Sequence, residues 1–126
     1  MKNYLTINDT DYELNFGMGF IRKIDKTVQV PIEGLPGQKQ NAGLQMAISY
    51  VIDHNLEEIE KILIIANEGK SPKLTTAILD AYLEDEGTDV TEFCDQVLDF
   101  LRMSNCTSEK TKLLEEAVAK TQEEQK

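Results

Sequence analysis

Residues 16–25 read FGMGFIRKID, and the two glycines stand where one hydrophobic rhythm gives way to another. Upstream, in KNYLTINDTDYELNF (2–16), Leu5 and Ile7 alternate with polar residues, a polar Asn8-Asp9-Thr10-Asp11 turn follows, and Tyr12, Leu14 and Phe16 resume the alternation. Period two on both sides of a turn predicts an antiparallel β-hairpin with one apolar face. A lone hairpin is marginal in water, so that face needs a cover. Downstream, Phe20, Ile21, Ile24 and Val28 share one helical face while Arg22, Lys23, Asp25 and Lys26 turn outward. The alternative use of such glycines is a phosphate cradle. A dinucleotide fingerprint needs a third glycine at position 22, where Arg stands, and a Walker loop needs a Gly-Lys-Ser/Thr that the segment lacks. The glycines therefore read as the turn from strand to helix, where they relieve backbone strain.

Beyond this turn, VPIEGLPGQKQN (30–41) holds Pro31, Gly34, Pro36 and Gly37, a density of breakers that predicts a long flexible loop. A lid is one use of such a loop and plain connection is the other. Helical periodicity then persists over 42–118. Leu44, Ala47, Ile48, Val51 and Ile52 form one stripe, and Leu56, Ile59, Ile62, Leu63 and Ala66 the next, opened by Asn55 with Glu58 and stopped at Gly69. Ser71-Pro72 reads as a cap followed by Pro at the first helical position, before a stripe of Leu74, Ala77, Ile78, Ala81 and Tyr82 ended by Gly87. Asp89 and Glu92 open a helix with Val90, Phe93, Cys94, Val97, Leu98 and Leu101 inward. Thr107 is the expected cap of a last helix carrying Leu113, Leu114, Ala117 and Val118, and the polar end KTQEEQK (119–126) is expected to fray. The expected fold is mainly α: a short N-terminal β-hairpin and a compact bundle of about six helices, in one domain over 1–126.

Composition narrows the function. The chain has 126 residues, 40% of them hydrophobic, with no Trp and a formal charge of −10. An acidic chain with scattered Lys and Arg repels phosphate backbones and anionic bilayers, so neither nucleic acid nor membrane is an expected partner. The N-terminus lacks the continuous apolar stretch of a secretory signal, which points to the cytoplasm. Cys94 and Cys106 are isolated and form no metal or redox motif; one reads as a core residue and the other as a surface thiol.

Catalytic groups are sparse. His54, the single histidine, sits in Asp53-His54-Asn55 at a helix end, where it reads as a terminus residue. Glu84-Asp85-Glu86-Gly87 resembles a calcium loop only superficially. With Gly87 on the turn glycine, Tyr82 and Phe93 fall where carboxylates are required. Glu57-Glu58 and Glu115-Glu116 read as solvated helix faces. No catalytic residue, cofactor or metal ligand is assigned, and the residues alone indicate a helical binding module.

The N-terminal hairpin followed by FGMGFIRKID, GLQMAISYVI (43–52) and FCDQVLDFLRMSNCTSEKTKLLEE (93–116) resembles the tail assembly chaperones of long-tailed phages and prophages of Gram-positive bacteria. The similarity runs from Tyr4 to Glu116. It implies a non-enzymatic protein of the host cytoplasm, absent from the finished virion, that binds the tape measure protein. In related systems a frameshifted longer form recruits tail-tube subunits. Such a client is long, helical and apolar, and its faces need covering until the tube replaces the cover. Apolar positions off the main stripes are the candidate contacts: Met46, Tyr50, Ile64, Ile65, Leu79 and Leu83. A second buried face is the other use of these residues, and self-association is a third. An acidic helical adaptor of phage or host origin with an unrelated target is the alternative function.

Overall fold

The computed structural model describes residues 3–124; Lys2 of the expected hairpin and the last two residues of the expected tail lie outside the described residues. Strands β1 (Asn3–Ile7) and β2 (Thr10–Leu14) pair antiparallel with Leu5 opposite Tyr12. Asn8 and Asp9 have φ of 50° and 65°, the two positive angles of a type I′ turn, which Asn and Asp tolerate better than other side chains. Leu5, Ile7, Tyr12, Leu14 and Phe16 are all buried, as the alternation requires.

Helix α1 (Met18–Asp25) begins at the N-cap Gly17, so the change of period does fall at the glycines. The expected strain relief is not what they supply. Gly17 has φ −88°, and a Cβ on Gly19 would meet nothing within 4 Å. The glycine the fold demands is Gly43, at the start of α2 (Gly43–Ile52). There a Cβ would overlap the Ile24 carbonyl and lie 2.8 Å from the Asp25 Cα, so α2 abuts the end of α1 only without a side chain.

Between α1 and α2 the expected loop is a second hairpin. Strands β3 (Gln29–Pro31) and β4 (Lys39–Asn41) pair antiparallel, with Val30 opposite Gln40. Pro31 and Pro36 do not prevent this, because a two-stranded ribbon has edges and turns that accept Pro. Two turns fold the tip: Leu35 N–H donates to Ile32 O at 3.1 Å and Gln38 N–H to Leu35 O at 3.1 Å. Gly34 and Gly37 supply the φ values of +82° and +81° at the third position of each turn.

Four helices follow: α3 (Leu56–Asn67), α4 (Thr76–Glu84), α5 (Val90–Met103) and α6 (Ser108–Glu124). Caps open three of them, with Asn55, Thr75 and Asp89 side chains accepting from the N–H groups of Glu58, Ile78 and Glu92. The start of α4 corrects the expectation of Ser71-Pro72 as its cap. The buried Asn67 side chain takes Leu74 N–H (2.7 Å) and donates to Pro72 O (3.3 Å), holding residues 72–74 outside the helix. The stripe shifts as well, since Leu74 and Leu79 are buried while Ala77 and Ala81 are exposed.

Helix α6 departs furthest from its predicted packing. Thr107 precedes the helix, but its hydroxyl donates to Leu101 O (2.7 Å) instead of capping an N–H. Thr111 donates to Thr107 O (2.8 Å), and both threonines are fully buried. Leu113, expected inward, is 54% exposed. Leu114 packs half-buried against the core, and a forked ion pair adds to the hold on α5, Arg102 Nε and Nη2 each donating to a Glu115 oxygen at 2.8 Å. The polar end expected to fray continues α6 through Glu124.

The core lies where the first hairpin meets the helices. Phe16, in the connection after β2, contacts the Phe20 ring edge-on at 5.0 Å between centroids and stacks on Phe100 at 6.0 Å, tying this connection to α1 and α5. Asn15 N–H donates to Ala66 O (2.9 Å) and Asn67 Nδ2 to Glu13 O (3.0 Å), so α3 supports the hairpin through polar contacts too.

Candidate functional site

Three helices frame a groove with an apolar floor. Thr27 and Val28, just past α1, form one side; Gly43, Ala47 and Tyr50 of α2 form another; Ile62, Ile64 and Ile65 of α3 complete it, with Glu58 and Lys61 on the rim. Its volume is about 510 Å³. A second hollow of about 500 Å³ lies along the same helix between Ile64, Ile65 and the Glu68–Leu74 connection. Ile64 and Ile65 line both, so the two hollows adjoin the same pair of side chains on α3.

The helix geometry explains why this face is left open. Ile59, Ile62, Leu63 and Ala66 fill the buried side of α3, and four successive apolar residues, Ile62 to Ile65, cannot all fit one stripe of a 3.6-residue repeat. Ile64 and Ile65 therefore stand half-buried at its edge. Gly43, where α2 meets α1, lines the groove, and Asn67 and the Leu74 it binds line the second hollow.

Of the six residues singled out by their sequence positions, Tyr50, Ile64 and Ile65 converge on this groove. Met46 is half-buried on α2 and lines neither hollow. Leu83 is half-buried against the core from α4. Leu79 is fully buried with 0% exposure, because α4 turns position 79 inward, and it presents no surface to a partner. Gly43 and Asn67 escaped sequence reasoning, and Val28, read there as part of the α1 face, lies beyond the helix's end at Asp25 and in the groove wall. Asn67 carried one signal, a polar residue in step with the Ile59–Leu63–Ala66 stripe.

Beyond the rim, where Lys61 and Glu58 pair at 3.3 Å, the other groups with acid–base chemistry lie outside the groove. His54 follows α2 with φ 56°, its N–H donating to Val51 O (3.1 Å) while Asn55 N–H donates to Tyr50 O (2.9 Å), the paired bonds of a Schellman helix end. The His54 ring meets Asp95 of α5 at 3.5 Å in a solvent-exposed pair. The neighbouring thiol of Cys94 points into the core, where burial pushes its pKa up, so these groups form no nucleophile relay. Glu60 on α3 titrates near 7. Burial raises it first, then a hydrogen bond and charge repulsion from Asp80 of α4, with smaller repulsion from Glu57 and Glu84. Among the described residues no group of three or more His, Cys, Asp or Glu is placed to hold a metal. No helix among them is long and apolar enough to cross a membrane.

Comparison with protein families places this architecture. The family model described as "Phage tail assembly chaperone protein, TAC" matches residues 4–116, which takes in the first hairpin from Tyr4, the whole second hairpin and all of the groove. Neither the curated proteins nor the solved structures give a match.

Proposed function

Because the chain belongs to the phage tail assembly chaperone family, we propose that it acts by seating apolar helical segments of the tape measure protein in the Ile64–Ile65 groove. The observation that carries this reading is the open apolar edge of α3 on a chain of that family. An α-helix with its side chains is about 10–12 Å across and docks by laying one apolar face along a hydrophobic groove. Covering a half-exposed Ile adds roughly 1 kcal/mol, so a few such contacts give a modest and reversible grip. Reversibility matters, since tube subunits must replace the cover as the tail grows. The charge of −10 keeps the complex soluble and repels other complexes. On this reading the protein performs no catalysis, acts in the host cytoplasm and is absent from the virion, and a frameshifted longer form brings the tail-tube protein.

Co-expression of the tagged chain with the tape measure protein tests the proposal. Soluble client should co-purify with the wild type and be lost with Ile64→Asp/Ile65→Asp, while circular dichroism stays native because both positions lie at the core's edge. A client equally insoluble with and without this chain would overturn the proposal.

A further inference from the structure

The β3–β4 hairpin is an exposed arm. Between Gln29 and Asn41 no residue is buried, and only Val30 and Ile32 are half-buried. Its tip carries Leu35 at 48% exposure, one of the few large apolar side chains left in water. Its root, by contrast, belongs to the groove. Ala42 N–H donates to Val28 O at 2.8 Å where the arm's two chains leave the body, and Val28 and Gly43 both line the groove. From Gln29 to Leu35 the chain can reach roughly 20 Å at about 3.3 Å per residue, enough to pass over a helix about 10 Å thick.

Charge says what the arm meets. The chain is acidic overall, yet residues 18–50 carry Arg22, Lys23, Lys26 and Lys39 against only Asp25 and Glu33. From residue 74 onward five basic residues face thirteen acidic ones. Among the described residues, Lys23 is paired with Glu68, but neither Lys26 at the groove's edge nor Lys39 on the arm has an ion-pair partner. Both are exposed. On the rim itself Glu58 pairs with Lys61, so charge there is balanced, and Lys26 and Lys39 are cations left open to a bound segment, which suits one that is apolar on one face and acidic on its flanks.

We propose that the β3–β4 arm is a movable wall of the groove, closing over an acid-flanked amphipathic helix so that Leu35 covers its apolar face and Lys26 and Lys39 meet its carboxylates. This rests on the groove being the client seat, and it adds a part and a client chemistry that the groove alone does not specify. The paired glycines at 34 and 37 keep the tip's turns in shape while the short three-residue ladder lets the arm swing at its root.

Fluorescein-labelled amphipathic segments of the tape measure protein, acid-flanked and base-flanked, provide the test. With the acid-flanked segments, Leu35→Asp should weaken binding about tenfold, and Lys26→Glu/Lys39→Glu should weaken it and flatten its salt dependence. Hydrogen exchange over residues 30–38 should slow on binding. Equal affinity of wild type and Leu35→Asp, with unchanged exchange in the arm, overturns the arm's role; if Ile65→Asp still abolishes binding, the groove reading survives. Preference for base-flanked segments overturns the assigned chemistry. A wild-type dimer broken by Leu35→Asp would assign the arm to a second copy and overturn the proposal. If no segment binds the wild type, groove and arm readings fall together.

Discussion

Asn67 is a side chain on which three elements depend, and Asn67→Ala should expose that dependence. Its amide donates to Glu13 O (3.0 Å) and Pro72 O (3.3 Å), and its carbonyl accepts from Leu74 N–H (2.7 Å), with the residue 2% exposed. Each neutral hydrogen bond contributes about 1 kcal/mol net, and a buried donor left without a partner costs a further 1–3 kcal/mol. Leu74 is 1% exposed, so its N–H is the group that water reaches least. The expected loss is about 3–4 kcal/mol, a large share of the roughly 5–15 kcal/mol typical of a domain. Urea unfolding should show a lower midpoint with an unchanged slope, and thermal unfolding a drop of roughly 10–15 °C. Asn67→Asp sharpens the test. It retains an acceptor for Leu74 N–H but faces two carbonyls with a buried carboxylate, so it should be at least as damaging at neutral pH and recover partly on acidification. An Asn67→Ala protein within about 0.5 kcal/mol of wild type would refute the assignment of Asn67 as the junction of β2, α3 and the α3–α4 connection.

Gly43→Ala should be strongly destabilising, by about 3 kcal/mol or more, because the new methyl meets backbone of α1 that cannot move without separating the helices; urea unfolding measures it. His54→Gly should raise the unfolding midpoint, by up to about 1 kcal/mol of stability, since position 54 has φ 56° and the lost contact to Asp95 is an exposed one. Glu60 is raised from 4.5 to about 7 by burial and by Asp80, so the folded state binds its proton more tightly than the unfolded chain does. Its contribution is fully present below pH 4.5 and is lost as pH rises through 7, so stability should fall by about 1–2 kcal/mol between pH 5 and 8, after allowance for solvent screening. Glu60→Gln should flatten that slope. Glu115, held below its ordinary value by Arg102, titrates beneath this window and acts in the opposite sense, losing its contribution as pH falls.

What the sequence determined by itself was local. The alternation around Asn8-Asp9, the caps at Asn55 and Asp89, and the stripes of α2, α3 and α5 follow from steric and hydrogen-bonding rules that act over four residues or fewer, and each is where its residues say it is. The resemblance to tail assembly chaperones was equally legible, because it rests on the order of such segments along the chain. The tertiary structure decided which of several apolar faces was used. Leu79 and Leu113 carry similar side chains on similar amphipathic helices, yet one is fully buried and the other more than half exposed. Which way each turns depends on where the neighbouring helices come to lie, and no period within one helix encodes that. The same holds for Gly43, demanded by a backbone eighteen residues or more earlier in the chain, and for Asn67, whose partners include Glu13. The groove exists for this reason too: Ile64 and Ile65 became its floor only because α1, α2 and the Asn67-held connection stop short of covering them.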